Sequence, residues 1–225
     1  KFAKHGSTVT TAAVKLARAY TNRKYIAVPM EQPFFSFDDW FIGSTAIKKG
    51  IPYEIIKLTK FFNYNDITSL KEKINKYKND IACVVMEAAT TECPNINGLE
   101  GCCSQILCKR KFKVQNHYLK QVENLCKENK IVFILDEMIT GFKWDIGGAQ
   151  KFYNIEPDLS TFGKAMANGF SLAAVCGKQK IMELGSIEKK NKERVFLLST
   201  THGAEMSSLG AFVETLKFIK KNRVI

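Results

Sequence analysis

Short apolar runs alternate with amphipathic segments along almost the whole chain, and that alternation narrows the fold more than any other feature. The runs are KYIAV (24–28), YEIIKL (53–58), IACVVM (81–86), IVFIL (131–135), AAVCG (173–177) and RVFLLS (194–199). Each has strand length, and most are apolar throughout, as strands buried on both faces are. Between them Val9, Ala12, Ala13, Leu16, Ala17 and Tyr20 recur at helical spacing. The same spacing joins Ile67, Leu70, Ile74 and Tyr77, then Leu119, Val122 and Cys126, then Leu209, Phe212, Val213, Leu216 and Ile219. Buried strands separated by helices predict an α/β fold, a mostly parallel central sheet with helices on both faces. Residues 93–116 break the periodicity and read as a loop insertion.

Several classes of function are set aside on composition. No run approaches the roughly 18 apolar residues of a membrane helix, so no membrane role is expected. No apolar segment follows the basic start KFAKHGSTV, which argues against a signal peptide. The formal charge of +12 invites nucleic acid. Yet the lysines are scattered among acids and asparagines, as in KEKINKYKND and EKKNKER, and read as solvated faces. The one dense basic cluster, CKRKFK (108–113), reads as part of the exposed insertion. There are seven cysteines, and Cys83 and Cys176 fall in strand patterns where a thiol acts as a small hydrophobe. A reducing cytoplasm fits better than a disulfide framework. Cys93, Cys102, Cys103, Cys108 and His117 lie close together but contain no CxxC pair, so no metal site is expected.

Parallel α/β sheets bind ligands beyond the carboxyl ends of their strands, so the residues just after each strand matter most. IVFIL runs into Asp136, and IACVVM into Glu87. A carboxylate there is costly unless it meets a cation or a hydrogen-bond donor. DLSTF leads through Gly163 to Lys164, a lysine flanked by glycine and alanine. HGST opens the first helix, where free N–H groups favour a phosphate. Each feature has an ordinary explanation: a helix cap, an acid closing a loop, an exposed lysine. Together they supply a phosphate cradle, a buried acid and an isolated lysine, the set that pyridoxal phosphate needs.

The segments LDEMITGF and PDLSTFGKAMANG resemble the class III pyridoxal-phosphate-dependent aminotransferases. The likeness is greatest to the branch containing glutamate-1-semialdehyde 2,1-aminomutase and related sugar aminotransferases. GSTVTTAAVKLARAYTNR resembles that branch's phosphate-loop helix, and STTHGAE its later phosphate-contact loop. The resemblance covers nearly all of the chain except 93–116. It implies that residues 1–225 form a fold-type I large domain, without the segments that flank it in the family, and that the complete protein is a homodimer with shared active sites. It assigns Lys164 as the Schiff-base lysine and general acid–base, and Asp136 as the partner of the pyridine nitrogen. Met138 would pack on the ring, and Gly6 and Ser7 would hold the phosphate. Thr200 would reach the phosphate of the partner subunit's cofactor. Phe34, in QPFFSFDDWFIG, falls where the family usually has tyrosine, so it could stack on the ring but not hydrogen-bond. Glu87, followed by Ala88 where the family has proline, would stand on the substrate side. The implied reaction passes an amino group between a small-molecule donor and an aldehyde or ketone acceptor. Intramolecular transfer by an aminomutase is the alternative, and a non-catalytic relic of the fold the third reading.

Overall fold

The computed structural model describes residues 1–95, 117–188, 194–195, 202–203 and 205–225. The chain opens with β1 (Phe2–Ala3), α1 (Gly6–Thr21) and β2 (Tyr25–Pro29), then two single-turn helices, α2 (Asp39–Ile42) and α3 (Tyr53–Ile56). It continues with β3 (Thr59–Phe62), α4 (Ile67–Lys76), β4 (Ile81–Glu87), α5 (Tyr118–Glu128) and β5 (Val132–Asp136). After α6 (Gly148–Phe152) come β6 (Leu159–Phe162), a 3-10 turn (Lys164–Ala167) and β7 (Ala173–Gly177). The described elements end with α7 (Gln179–Met182) and α8 (Met206–Asn222).

Seven strands form one sheet in the order β1-β7-β6-β5-β4-β2-β3. The five from β6 to β3 are parallel; β7 runs against β6, and β1 against β7. All seven residues of β4 are buried, and successive side chains turn to opposite faces. Cys83 and Val85 join Val28, Ile134 and Val175 in a core beneath Val9, Ala12, Ala13 and Leu16 of α1. Val84 and Met86 join Phe133 and Leu135 in a second core, beneath Leu70 and Ile74 of α4 and Leu119 and Val122 of α5. Alanines on the inner face of α1 let that helix lie close to the sheet. Each large side chain so buried contributes on the order of 1.5–3 kcal/mol. Helix α1 stops at Asn22, which turns left-handed at φ 54°.

One expected strand is corrected. YEIIKL, expected to be extended, instead forms α3, and its neighbour Thr59–Phe62 pairs with β2. Pro52, at φ −60°, is pre-set to start a helical turn. None of the α3 residues is buried, so no packing on the sheet holds them extended. Three strands escaped the periodicity: β1, with two residues, β3, just beyond the expected run, and β6, whose LSTF is half polar. Most of RVFLLS and nearly all of 93–116 lie outside the described residues.

Candidate active site

At the carboxyl edge of the parallel strands lies a cleft of about 670 Å³. It is lined by Gly6, Ser7, Phe34, Glu87, Asp136, Met138 and Lys164, so separate segments of the chain bring the expected site residues together. Thr200 lies outside the described residues.

β4 and β5 end in step here, and β6 ends one residue later. Glu87 stands opposite Asp136, and Asp136 opposite Thr161. Adjacent strands are about 4.8 Å apart, and paired residues point to the same face, in this case the face under α1. Asp136 is 2% exposed, and its Oδ1 accepts the Met138 N–H at 2.8 Å. Burial pushes its pKa up to about 7, while that N–H bond and the Lys164 charge favour the ionised form. The buried Thr161 hydroxyl also favours ionised Asp136, although it makes no well-aligned hydrogen bond. Glu87 is 5% exposed, and its Oε2 is buried with no partner among the described residues. Burial raises Glu87 to about 7, the Asp136 charge adds to the rise, and Lys164 opposes it. The Gln32 side chain clamps the Glu87 backbone, donating to its O at 3.0 Å and accepting from its N at 2.8 Å.

Met138 fills the space between two glycines. A Cβ on Gly6 would come within 2.9 Å of the Met138 sulfur, and one on Gly163 within 2.6 Å. A side chain at either glycine would push the Met138 thioether out of this space. Lys164 follows at φ 45°, a left-handed conformation that costs a residue with a Cβ about 1–2 kcal/mol. Its side chain is exposed to the cleft. Helix α1 presents Gly6 and Ser7 to the same space; its first turn holds no acid, and His5 makes no side-chain cap. Its first N–H groups are consequently open to an anion. The Ser7 hydroxyl accepts from Phe37 N at 3.2 Å and keeps its own proton to donate. Phe34 is 55% exposed and packs edge-on against Phe41.

Three supporting residues were missed in the sequence. Glu137, fully buried, accepts from Thr140 Oγ1, from Ala149 N at 2.9 Å and from Gln150 N at 2.8 Å. It thereby ties the strand end to the start of α6. Gln32 carried no periodic signal, lying in an irregular segment after β2. Lys4, at the mouth, pairs with Glu205 and reaches Ser208 Oγ at 3.0 Å, joining the end of β1 to α8. Only the adjacency of two acids in LDEM could have pointed to Glu137.

Among the described residues no group of three or more His, Cys, Asp or Glu side chains could hold a metal. His117 is engaged at both ring nitrogens: Nε2 donates to Tyr153 O at 2.8 Å, and Nδ1 accepts from Lys120 N at 3.3 Å. Cys102, Cys103 and Cys108 lie outside the described residues. Burial pushes the Cys83 thiol up to about 12, so it packs as a hydrophobe. No helix among the described residues is long and apolar enough to cross a membrane.

Both the sequence and the fold have counterparts among known proteins. The family model for class-III aminotransferases matches residues 1–225, and the chain belongs to that family. It is 32% identical over 222 residues to the 3-aminobutyryl-CoA aminotransferase of Cloacimonas acidaminovorans, covering 99% of this chain and 47% of the relative. It is 34% identical over 226 residues to the glutamate-1-semialdehyde 2,1-aminomutase of Thermosipho africanus, covering 96% and 48%. The chain thus spans about half the length of these curated relatives. Among solved structures, the ornithine aminotransferase of Toxoplasma gondii superposes with a TM-score of 0.77 at 16% identity, covering 99% of this chain and 49% of that one. The FumI protein of Sphingopyxis sp. MTA144, in its PLP internal aldimine form, gives 0.76 at 24%, covering 98% and 47%. Both share the fold.

Proposed function

We propose that the protein is a pyridoxal-phosphate-dependent enzyme that passes an amino group between a small amine donor and an aldehyde or ketone. The observation that carries this reading is the meeting of Lys164, Asp136 and the open end of α1 in one cleft. The residues fit the cofactor. A buried carboxyl held by one backbone N–H suits a cationic ring nitrogen, an uncapped helix end suits a phosphate, and close glycine backbones leave room for a flat ring.

Pyridoxal phosphate, when bound, supplies a ring that withdraws electrons from the carbon next to the transferred nitrogen. Asp136 would hold the proton on the ring nitrogen. Gly6 and Ser7 would bind the phosphate through backbone N–H groups and the Ser7 hydroxyl. Met138 would support one ring face, and Phe34 would stack on the ring without hydrogen-bonding to it. Lys164 would anchor the cofactor, and its Nζ would remove and return the proton at the substrate carbon. We assign Thr200 to the phosphate of a partner subunit's cofactor in a homodimer, and the whole protein to the cytoplasm. Residues 1–225 correspond to the cofactor-binding large domain, with 93–116 as an insertion. A second reading, intramolecular transfer as in an aminomutase, is favoured by the names of several relatives at 32–35% identity.

The test is to incubate the protein with pyridoxal phosphate, reduce with borohydride and map the modified peptide by mass spectrometry. A label on Lys164 that disappears in Lys164→Ala is expected. A label spread over surface lysines, unchanged in that variant, would leave the chain a relic of the fold.

A further inference from the structure

The row of strand ends holds more acid than cofactor binding requires. Glu87 and Asp136 occupy paired positions on adjacent strands, whose backbones lie about 4.8 Å apart, and their side chains turn to the same face. Both are more than nine-tenths buried, and neither forms an ion pair among the described residues. Two carboxylates this close in a dry setting cannot both stay ionised without a compensating cation.

The surroundings divide the two roles. Asp136 accepts one hydrogen bond, from the Met138 N–H in the loop after β5, and the Thr161 hydroxyl of β6, though not aligned for a bond, also favours its charged form. Glu87 instead has a bare Oε2, while Gln32 fixes its backbone. Donors favour a charged carboxylate; a bare, buried oxygen favours a protonated one. The other charged groups lining the cleft are already engaged. Lys4 is paired with Glu205, Glu31 accepts Tyr64 N at 2.8 Å, and the His5 ring lies against the Thr8 hydroxyl. Lys164, from the turn after β6, is the remaining cation lining the cleft among the described residues.

We propose that Glu87 and Asp136 titrate as an electrostatically coupled pair across the strand register, with no hydrogen bond between them among the described residues, in which Glu87 keeps the proton and Asp136 stands ionised. Glu87 is then a positioning residue acting through Asp136, rather than the substrate contact its place in the sequence suggested. The benefit to a cofactor's ring nitrogen rests on the function proposed above; the pairing itself does not.

The experiment measures urea unfolding of the protein without cofactor, from pH 5 to pH 8.5. It compares wild type, Glu87→Gln, Asp136→Asn and the double variant. A carboxyl whose folded pKa is raised stabilises fully below its unfolded value of about 4.3 for glutamate, and that stability is lost as pH rises through the folded value. Glu87→Gln removes a group that must lose its proton inside the fold. The ratio of its folding constant to that of wild type should therefore rise roughly tenfold or more between pH 5 and pH 8. In the Asp136→Asn background the rise should shrink, because Glu87 then ionises without a charged neighbour. A ratio that is flat with pH, or effects that add at every pH, would overturn the pairing. Should Glu87→Gln fail to fold, carboxyl-carbon NMR of wild type labelled at glutamate decides. One glutamate that titrates near neutrality in wild type and lower in Asp136→Asn supports the pair; one that does not move in that variant, or all of them titrating near about 4.3, refutes it. Cofactor uptake by wild type is followed separately. Its absence would sink the proposed function, while the titrations alone would still decide the pair.

Discussion

Glu137 offers the sharpest quantitative check on how the site is held. Its carboxylate is fully buried and accepts three hydrogen bonds, two of them from the backbone N–H groups of Ala149 and Gln150. Hydrogen bonds to a charged acceptor contribute about 1.5–3 kcal/mol each, and a buried donor left bare costs about 1–3 kcal/mol. Glu137→Ala strips all three donors at once and opens a small void, for an expected loss of about 4 kcal/mol. Glu137→Gln keeps the shape and one acceptor oxygen. Because Oε1 and Oε2 each receive a backbone N–H, its NH₂ must face one of them. Thr140 can rotate its hydroxyl to adapt, so one bare donor remains, and the expected loss is about 2 kcal/mol. Globular domains are stable by only about 5–15 kcal/mol, so both losses should be readable. Urea unfolding followed by circular dichroism, with an m-value of about 2–3 kcal/mol per molar, would show the alanine midpoint lower by well over ~1 M and the glutamine midpoint by under ~1 M. Equal losses for the two variants, or losses below about 0.5 kcal/mol for both, would refute the assignment of Glu137 as the tie between β5 and α6.

Two further outcomes rest on the geometry. Lys164→Gly should be more stable than Lys164→Ala by about 1 kcal/mol, because φ 45° suits glycine and strains alanine; equal unfolding midpoints would contradict the left-handed backbone. His117→Ala should cost about 2 kcal/mol, from the lost cap on α5 and the lost hydrogen bond to the Tyr153 carbonyl. Burial lowers the His117 pKa from 6.5. Its stabilisation is therefore complete above that value and declines as pH falls, so the cost of the variant should be larger at pH ~7.5 than at pH ~5.5. A cost that grew toward acid pH would mean the histidine is held charged.

How far these features could be read in the sequence depended on the kind of signal. Strands such as IACVVM and IVFIL were legible because burial on both faces leaves no polar position, and α1, α4 and α5 because their apolar stripes are regular. YEIIKL misled because its β-branched residues suit a strand locally, while the hydrogen-bond ladder with β2 is taken by Thr59–Phe62. β6 was hidden by the polar Ser160 and Thr161, whose burial is a tertiary fact. Glu87, Asp136, Lys164 and the Gly6–Ser7 helix start were readable from their places beside strand ends, whereas Met138 and Phe34 were named only through the family resemblance. The relations among them were not. Nothing local reveals that Glu87 and Asp136 fall in register, that Gln32 fixes the Glu87 backbone, or that Met138 sits against two glycines far apart in the chain.

The dispersal of the cleft along the chain bears on how it comes into being. Its lining runs from Lys4 near one end, through the tips of β4 and β5, to Leu172, and each segment is positioned only by neighbours in the finished sheet. Closing such distant loops comes late and slowly in folding, so no partly folded form should carry a working cleft. A molecule that fits this cleft would bind the folded chain alone. At a concentration roughly one hundred times its dissociation constant it would add about 2.7 kcal/mol to stability. Cofactor supply would then govern how long each newly made copy survives, as well as what it can do.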